Sequence, residues 1–167
     1  MSAPHLPTPR RLIMGHKADG TPVVHDETVP TTRSGTFAVA QAFMQDGFDP
    51  DPIEAVSGKD KPVQGMVNPK GTVVRWVDIP PNTDTPMHYT NTIDYIVCTH
   101  GTIEILLHDG SKYKIQPGDF AVQLANVHQL NNKGDDWARF VGVILPSKPG
   151  MVDGKNHTDG PLKALQF

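Results

Sequence analysis

Two histidines and one aspartate stand out because they interrupt stretches that otherwise have the pattern of apolar strands. His88 and Asp94 lie in the segment from Thr85 to Gly101, and His128 follows in a later segment. Imidazole titrates near neutral pH and a carboxylate can orient it, so these residue types suit general acid–base catalysis. Two histidines and a carboxylate are also the ligand set of non-haem Fe(II) centres. The sequence leaves both chemistries open.

The segment that carries His88 and Asp94 alternates like a β-strand. Residues 88 to 98 with even numbers share one parity, so a regular strand places both side chains on one face, unless Asn91 introduces a bulge. If this strand and the one that carries His128 belong to one barrel, the three side chains converge on one interior point. We therefore predict that His88, His128 and Asp94 are catalytic and face one cavity, with Asp94 fixing the tautomer of one imidazole.

Candidate substrate-binding residues lie on the neighbouring predicted strands. Arg75 and Trp76 are adjacent in sequence, so only one of them can face the interior of a barrel. An inward Arg75 would anchor a carboxylate or enolate oxygen, and an inward Trp76 would stack on a planar ring. The alternative is purely structural, with the arginine in solvent and the tryptophan in the core. The further candidates are Tyr89, Tyr95, Gln123 and Asn126.

Short strands separated by turns dominate the chain after residue 71. The 16 prolines and 15 glycines indicate many turns, which favours an all-β domain. We predict a jelly-roll barrel over residues 72–146. Its strands are predicted at 72–79, 94–99, 101–107, 112–115, 120–124, 127–131 and 137–145.

The regions on either side of this barrel are less regular. Residues 1–9 are predicted to form an arm, and residues 10–71 to hold N-terminal strands and a long loop that pack on the barrel. An Asp-Gly pair at 19–20 predicts a hairpin between two short strands, and a third run at 35–44 is a strand or a short helix. The loop at 46–71 is predicted to hold at most one helical turn and is either a functional lid or a plain connection. Residues 147–167 form a tail.

Composition limits the partners of this 167-residue chain. A net charge of −3 argues against nucleic acid, because phosphate binding needs a basic face. No apolar run is long enough to span a bilayer, so we expect no membrane partner. The single cysteine, Cys98, is consistent with a reducing, cytoplasmic setting. The expected partner is a small-molecule substrate.

Two segments of the chain resemble the two motifs of the cupins, which are small double-stranded β-helix or jelly-roll barrels. The first cupin motif has His-x-His, an acidic residue and a glycine, and the matching residues are His88, Thr90, Asp94 and Gly101. The second motif is matched at Gly118, Asp119, Leu124, Asn126, His128 and Asn132. The resemblance extends from Arg10 to Leu145. It is closer to a subgroup whose members often act as tailoring enzymes of secondary metabolism.

The departures from the cupin motif bear on the cofactor. Thr90 replaces the second metal-binding histidine, and Asp94 replaces the usual glutamate. We therefore expect no tightly bound metal. If a divalent metal such as Fe, Mn, Ni or Zn is present, the resemblance implies that His88, His128 and Asp94 hold it.

Three functions are consistent with these observations. The first is a tailoring enzyme of the lyase or isomerase type, which uses the histidines for dehydration, decarboxylation, isomerisation or cyclisation of a polyketide- or terpenoid-like substrate. The second is an Fe(II)-dependent dioxygenase with a reduced ligand set. The third is a non-catalytic small-molecule-binding cupin. Because the predicted N-terminal hairpin would expose strand edges, we also expect a homodimer.

Overall fold

Two β-sheets make up most of the chain in the computed structural model, which describes residues 5–34, 36–62, 65–152, 155–156 and 165–166. Its single short 3-10 helix among these residues spans Glu54–Lys59. The strands are β1 Arg10–His16, β2 Pro22–Thr28, β3 Thr32–Ser34, β4 Phe37–Asp46, β5 Gly71–Ile79, β6 His88–Tyr89, β7 Thr92–His100, β8 Ile103–Leu107, β9 Lys112–Ile115, β10 Phe120–Leu124, β11 His128–Asn131, β12 Ala138–Pro146, β13 Met151–Val152, β14 Lys155–Asn156 and β15 Leu165–Gln166.

The topology is that of a double-stranded β-helix. One sheet has six strands in the order β10-β7-β12-β5-β4-β3, and the other has five in the order β15-β6-β11-β8-β9. From β5 to β12 the chain passes repeatedly between these two sheets, which is how a jelly roll closes around one interior. The predicted all-β jelly-roll class is confirmed.

The core lies between the inner faces of the two sheets. Burial alternates along β12, so one side chain in two points inward, as the period of a strand requires. The buried cluster includes Ile79, Ile96, Ile103, Leu130 and Phe140, which come from both sheets. These apolar contacts hold the two sheets together.

The N-terminal arm is tethered to the outside of the six-stranded sheet over its described part. Asp78 and Arg139 form a double hydrogen bond between β5 and β12, with a shortest distance of 2.5 Å. His5 Nε2 lies 3.1 Å from Asp78, and Arg139 donates to the Pro7 carbonyl at 2.8 Å. The following hairpin of β1 and β2 forms a two-stranded sheet of its own, whereas β3 and β4 extend the larger sheet.

The long connection between β4 and β5 packs against the end of β4. A Cβ on Gly58 would collide with the Met44 carbonyl oxygen and the Phe43 ring, so the 3-10 helix can approach β4 this closely only at a glycine. Later in this connection, Gly65 and Met66 reach the interior of the barrel. No helix in the described ranges is both long and apolar enough to cross a membrane.

The segment that carries His88 and Asp94 is not one strand. Thr90 and Asn91 separate β6 from β7, and the two strands belong to different sheets. The predicted common strand face is therefore wrong, because the chain crosses from one sheet to the other between the two residues. His88 and Asp94 approach the interior from opposite walls.

Candidate active site

The two predicted histidines lie side by side where two short strands meet. β6 and β11 pair through one registered position, with His88 opposite His128. The centroids of the imidazole rings are 4.5 Å apart and the ring planes are inclined by 57°. The structure thus brings together two of the three predicted catalytic side chains.

Each imidazole is held by the backbone carbonyl two residues before it. His88 Nδ1 lies 2.9 Å from the Pro86 carbonyl oxygen, and His128 Nδ1 lies 2.9 Å from that of Asn126. Because a carbonyl only accepts, a neutral ring in this position has its proton on Nδ1 and its basic lone pair on Nε2. We predicted that Asp94 fixes the tautomer of one imidazole. Backbone carbonyls occupy that position at both rings instead.

A strained turn positions His128. Ala125 has a φ of 50°, in the left-handed region that residues other than glycine seldom occupy. Its amide donates to the Thr92 carbonyl at 2.9 Å, which ties this turn to the start of β7. Such strain is concentrated at functional sites, where the surrounding structure enforces it.

Burial keeps both imidazoles neutral at neutral pH. His128 is 3% exposed. Its pKa is lowered to about 4, mainly by burial and also by the neighbouring His88, while the hydrogen bond to the Asn126 carbonyl opposes this shift. Burial also lowers the pKa of His88, and the Pro86 carbonyl opposes this shift. Two rings in contact disfavour a double positive charge, so the pair titrates as one unit.

A cavity of about 660 Å³ lies beside His88 between the two sheets. Its volume is in the range of sites for small organic ligands. Its described lining includes His88 and Arg75 but neither His128 nor Asp94, so the predicted common cavity of the three residues is not what this lining has. The apolar part of the wall includes Phe37, Val39, Val77, Ile79, Leu130 and Phe140.

Arg75, and not Trp76, faces the interior. Arg75 is 3% exposed and lines the cavity. Trp76 is half-buried and lies opposite Val141 and Ala40 in the registers of β5 with β12 and β4. Since neighbouring strand residues point to opposite faces, Trp76 belongs to the outer face. The prediction that it stacks on a substrate ring in the cavity is therefore wrong.

Asp94 and Gln123 form a polar pair on the inner face of the six-stranded sheet. They are registered partners of β7 and β10. Asp94 Oδ1 and both amide atoms of Gln123 are buried without a hydrogen-bond partner among the described residues. Burial raises the pKa of Asp94 to about 6, although a hydrogen bond from Thr92 opposes this shift. A carboxyl group with this pKa can gain or lose a proton near neutral pH.

The three remaining predicted residues differ in position. Tyr95 lies on the outer face and stacks on Phe120, with ring centroids 6.0 Å apart, so its predicted role in the cavity is wrong. Tyr89 is buried next to His88 in β6. Asn126 supplies the carbonyl that holds His128, and its own Oδ1 is buried with no hydrogen-bond partner in the described ranges.

Sequence reasoning missed the residues that the N-terminal half contributes to the cavity. Gln41 of β4 lies opposite Arg75, and its Nε2 donates to the Lys61 carbonyl at 2.7 Å. Met66 comes from the long connection and accepts a hydrogen bond from Arg75 through sulfur at 3.1 Å. A glutamine in a strand and a methionine in a loop are both common. The sequence therefore carries no motif that would have identified either residue as part of the cavity.

The residues present do not fit a three-ligand metal centre. In the part of the chain that the structure describes, no three His, Cys, Asp or Glu side chains are close enough to hold a metal ion. His88 and His128 have the right tautomer to offer Nε2, but Asp94 is on the opposite sheet.

Solved structures agree with the fold. The polyketide cyclase RemF from Streptomyces resistomycificus superposes with a TM-score of 0.52 and 17% identity, over 80% of this chain and 89% of that chain. The cupin domain of Cnp3 from Schizosaccharomyces pombe superposes with a TM-score of 0.54 and 10% identity, over 83% and 88%. The double-stranded β-helix with histidines at its interior thus defines a cupin-type barrel.

Sequence relatives extend this result from fold to family. The phomopsin biosynthesis cluster protein D of Diaporthe leptostromiformis is 33% identical over 92% of this chain and 86% of its own length. The cupin-domain-containing oxidoreductase srdB of Neurospora crassa is 30% identical over 92% and 81%. The oryzines biosynthesis cluster protein J of Aspergillus oryzae is 30% identical over 90% and 89%. No family model matches the chain. This protein belongs to the cupin family.

Proposed function

We propose that this protein is a biosynthetic enzyme that rearranges a small organic molecule by proton transfer at His88 and His128. The observation that carries the proposal is the contact of two neutral imidazoles, one of which lines an apolar cavity. Relatives that are named as biosynthesis cluster proteins support the substrate class of small metabolites.

The mechanism follows from the tautomers. With Nδ1–H bonded to a backbone carbonyl, His88 offers Nε2 to a substrate in the cavity. It removes a proton from a carbon next to a carbonyl group, and the electron pair of that C–H bond forms an enolate. The same proton, now on His88 Nε2, then returns to another atom of the enolate or to a leaving oxygen. Dehydration, isomerisation and aldol-type cyclisation follow this course without net oxidation. In a decarboxylation the enolate forms instead from the C–C bond that releases CO₂, and protonated His88 delivers the proton to the carbon.

His128 has a supporting position in this scheme. Its ring is in contact with the ring of His88, so a proton on either imidazole disfavours a proton on the other. Burial lowers the pKa of His88 itself, so its protonated form readily releases the proton to the substrate. Asp94 is a further candidate for proton exchange because its pKa of about 6 is close to neutral.

An oxidoreductase is the second candidate function. It is favoured by the name of the Neurospora relative at 30% identity. It requires a redox centre, and the three described candidate ligands do not form one by themselves. An assay of protein purified without added metal distinguishes the two candidate functions. If turnover under oxygen is lost on chelation and recovered with Fe(II), the oxidoreductase is favoured.

The test of the proposed function begins with deletion of the gene in its source organism. The intermediate that accumulates is the substrate, and purified protein should convert it to an isomer or to a product that has lost water or CO₂. His88→Ala and His128→Ala should each reduce kcat about 10²–10⁴-fold. His108→Ala is the matched control, because His108 is exposed at a hairpin turn. Near wild-type turnover by His88→Ala, in a variant that still melts cooperatively, contradicts the proposal.

A further inference from the structure

Arg75 is a buried cation whose charge no described residue neutralises. The side chain is 3% exposed. Nη1 donates to the Met66 sulfur at 3.1 Å, and Nη2 donates to the Gly65 carbonyl at 2.5 Å. Nε is buried without a hydrogen-bond partner among the described residues. All of the acceptors are neutral, and burial lowers the pKa of this guanidinium.

Two other partly buried arginines differ from Arg75 because each of them is hydrogen-bonded to a carboxylate. Arg139 forms a double hydrogen bond with the Asp78 carboxylate, and Arg11 bonds to Glu27. No described carboxylate is within 4.0 Å of Arg75. A buried charge without an ion-pair partner destabilises the folded state, as a buried ion pair that has lost one partner does. Such a cost is tolerated where a ligand supplies the missing charge.

The surroundings of Arg75 indicate what that ligand is. Arg75 is at the wall of a cavity that is otherwise lined mainly by carbon, including Val77, Ile79 and Phe140. A planar guanidinium recognises a carboxylate through two parallel hydrogen bonds, and a carboxylate is a stronger acceptor than a thioether or a backbone carbonyl. His88 lines the same cavity, so a molecule anchored at Arg75 extends along the apolar wall toward it.

We propose that the cavity takes a small organic carboxylate with an apolar body, and that Arg75 is the residue that selects its charge. This inference rests on the proposed function for the role of His88, but the binding of the anion does not need catalysis. Arg75 fixes one end of the molecule on the six-stranded sheet, and the carbon to be deprotonated lies toward the five-stranded sheet.

The test uses 2-naphthoate and its neutral analogue 2-naphthamide as probes, titrated calorimetrically into the full-length protein. Wild-type protein should bind the carboxylate at least 10-fold more tightly than the amide. Arg75→Gln should abolish this preference, while Arg33→Gln, which removes an exposed arginine at the rim of the same cavity, should retain it. Equal affinity of the wild type for both probes, or loss of the preference in Arg33→Gln, overturns the proposal.

A second measurement guards against a variant that fails to fold. In wild-type protein with ¹⁵N-labelled arginine, 2-naphthoate should shift one Nε–H signal strongly and 2-naphthamide should not. If no arginine signal responds, the proposal is wrong whatever the variants do. His88→Ala separates this inference from the proposed function. Retained carboxylate binding with lost turnover supports both, and retained binding with retained turnover contradicts only the proposed catalysis.

Discussion

Replacement of Asp94 by Asn should stabilise this protein at neutral pH and not in acid. In the native state burial raises the pKa of Asp94 from its ordinary 3.8 to about 6. The native state therefore binds an extra proton between these values, and its stability decreases as the pH rises through that window. One pKa unit corresponds to about 1.4 kcal/mol, so the full shift corresponds to about 3 kcal/mol.

The side chain of Asp94 is only partly buried, so water reduces this cost. We expect the difference in free energy of unfolding between Asp94→Asn and wild type to grow by about 1–3 kcal/mol from pH 3.5 to pH 8. The asparagine amide has partners available, because both amide atoms of Gln123 across the strand pair lack them in the described ranges. The measurement is urea unfolding of both proteins at a series of pH values.

The comparison cancels every other titrating group that the two proteins share. Asp49→Asn is the matched control, since it removes one carboxylate from an exposed position. A difference for Asp94→Asn that changes by less than about 0.5 kcal/mol between acid and neutral pH refutes the assigned burial of this carboxyl group.

Three further predictions follow from the same geometry. Because the pKa of His128 is lowered to about 4 in the native state, the free energy of unfolding decreases as the pH falls from 6.5 to 4. His128→Gln should remove up to about 3 kcal/mol of this decrease, as measured by urea unfolding. Gly142→Ala places a methyl group in ordinary van der Waals contact with the Phe140 ring, at 3.5 Å. It should therefore change the free energy of unfolding by less than about 1 kcal/mol in urea unfolding. The β1–β2 hairpin exposes Leu12, Met14 and Val24, and light scattering at micromolar concentration should show a homodimer; a monomer contradicts this.

Turn residues explain why much of the fold could be predicted. The predicted strands at 112–115 and 120–124 coincide with β9 and β10. Asp109-Gly110 precedes the first, and Gly118-Asp119 precedes the second; both glycines have positive φ, which these turns require. Local chemistry fixed these boundaries, so local sequence was sufficient to find them.

The transfer of the chain between sheets could not be predicted in the same way. The alternation of residues 88 to 98 continues through Thr90 and Asn91 without a change of parity, so the pattern gives no sign that β6 and β7 separate there. The choice between Arg75 and Trp76 was equally hidden, since period-two alternation shows that they face opposite sides but not which side is inside. Both answers depend on contacts between distant strands.

The substitution at Thr90 is compatible with the geometry of the site. In the cupin motif this position holds the second histidine, whose ring would point toward the interior beside His88. Here the buried Thr90 hydroxyl is hydrogen-bonded to the Thr92 hydroxyl. That bond occupies both side chains at the crossing between sheets, so neither is left as an unsatisfied group in the core. The position therefore stabilises the crossing that separates β6 from β7. Among the described residues, the imidazole that lies in contact with His88 is that of His128, and the hydroxyl at position 90 adds no third imidazole to this pair.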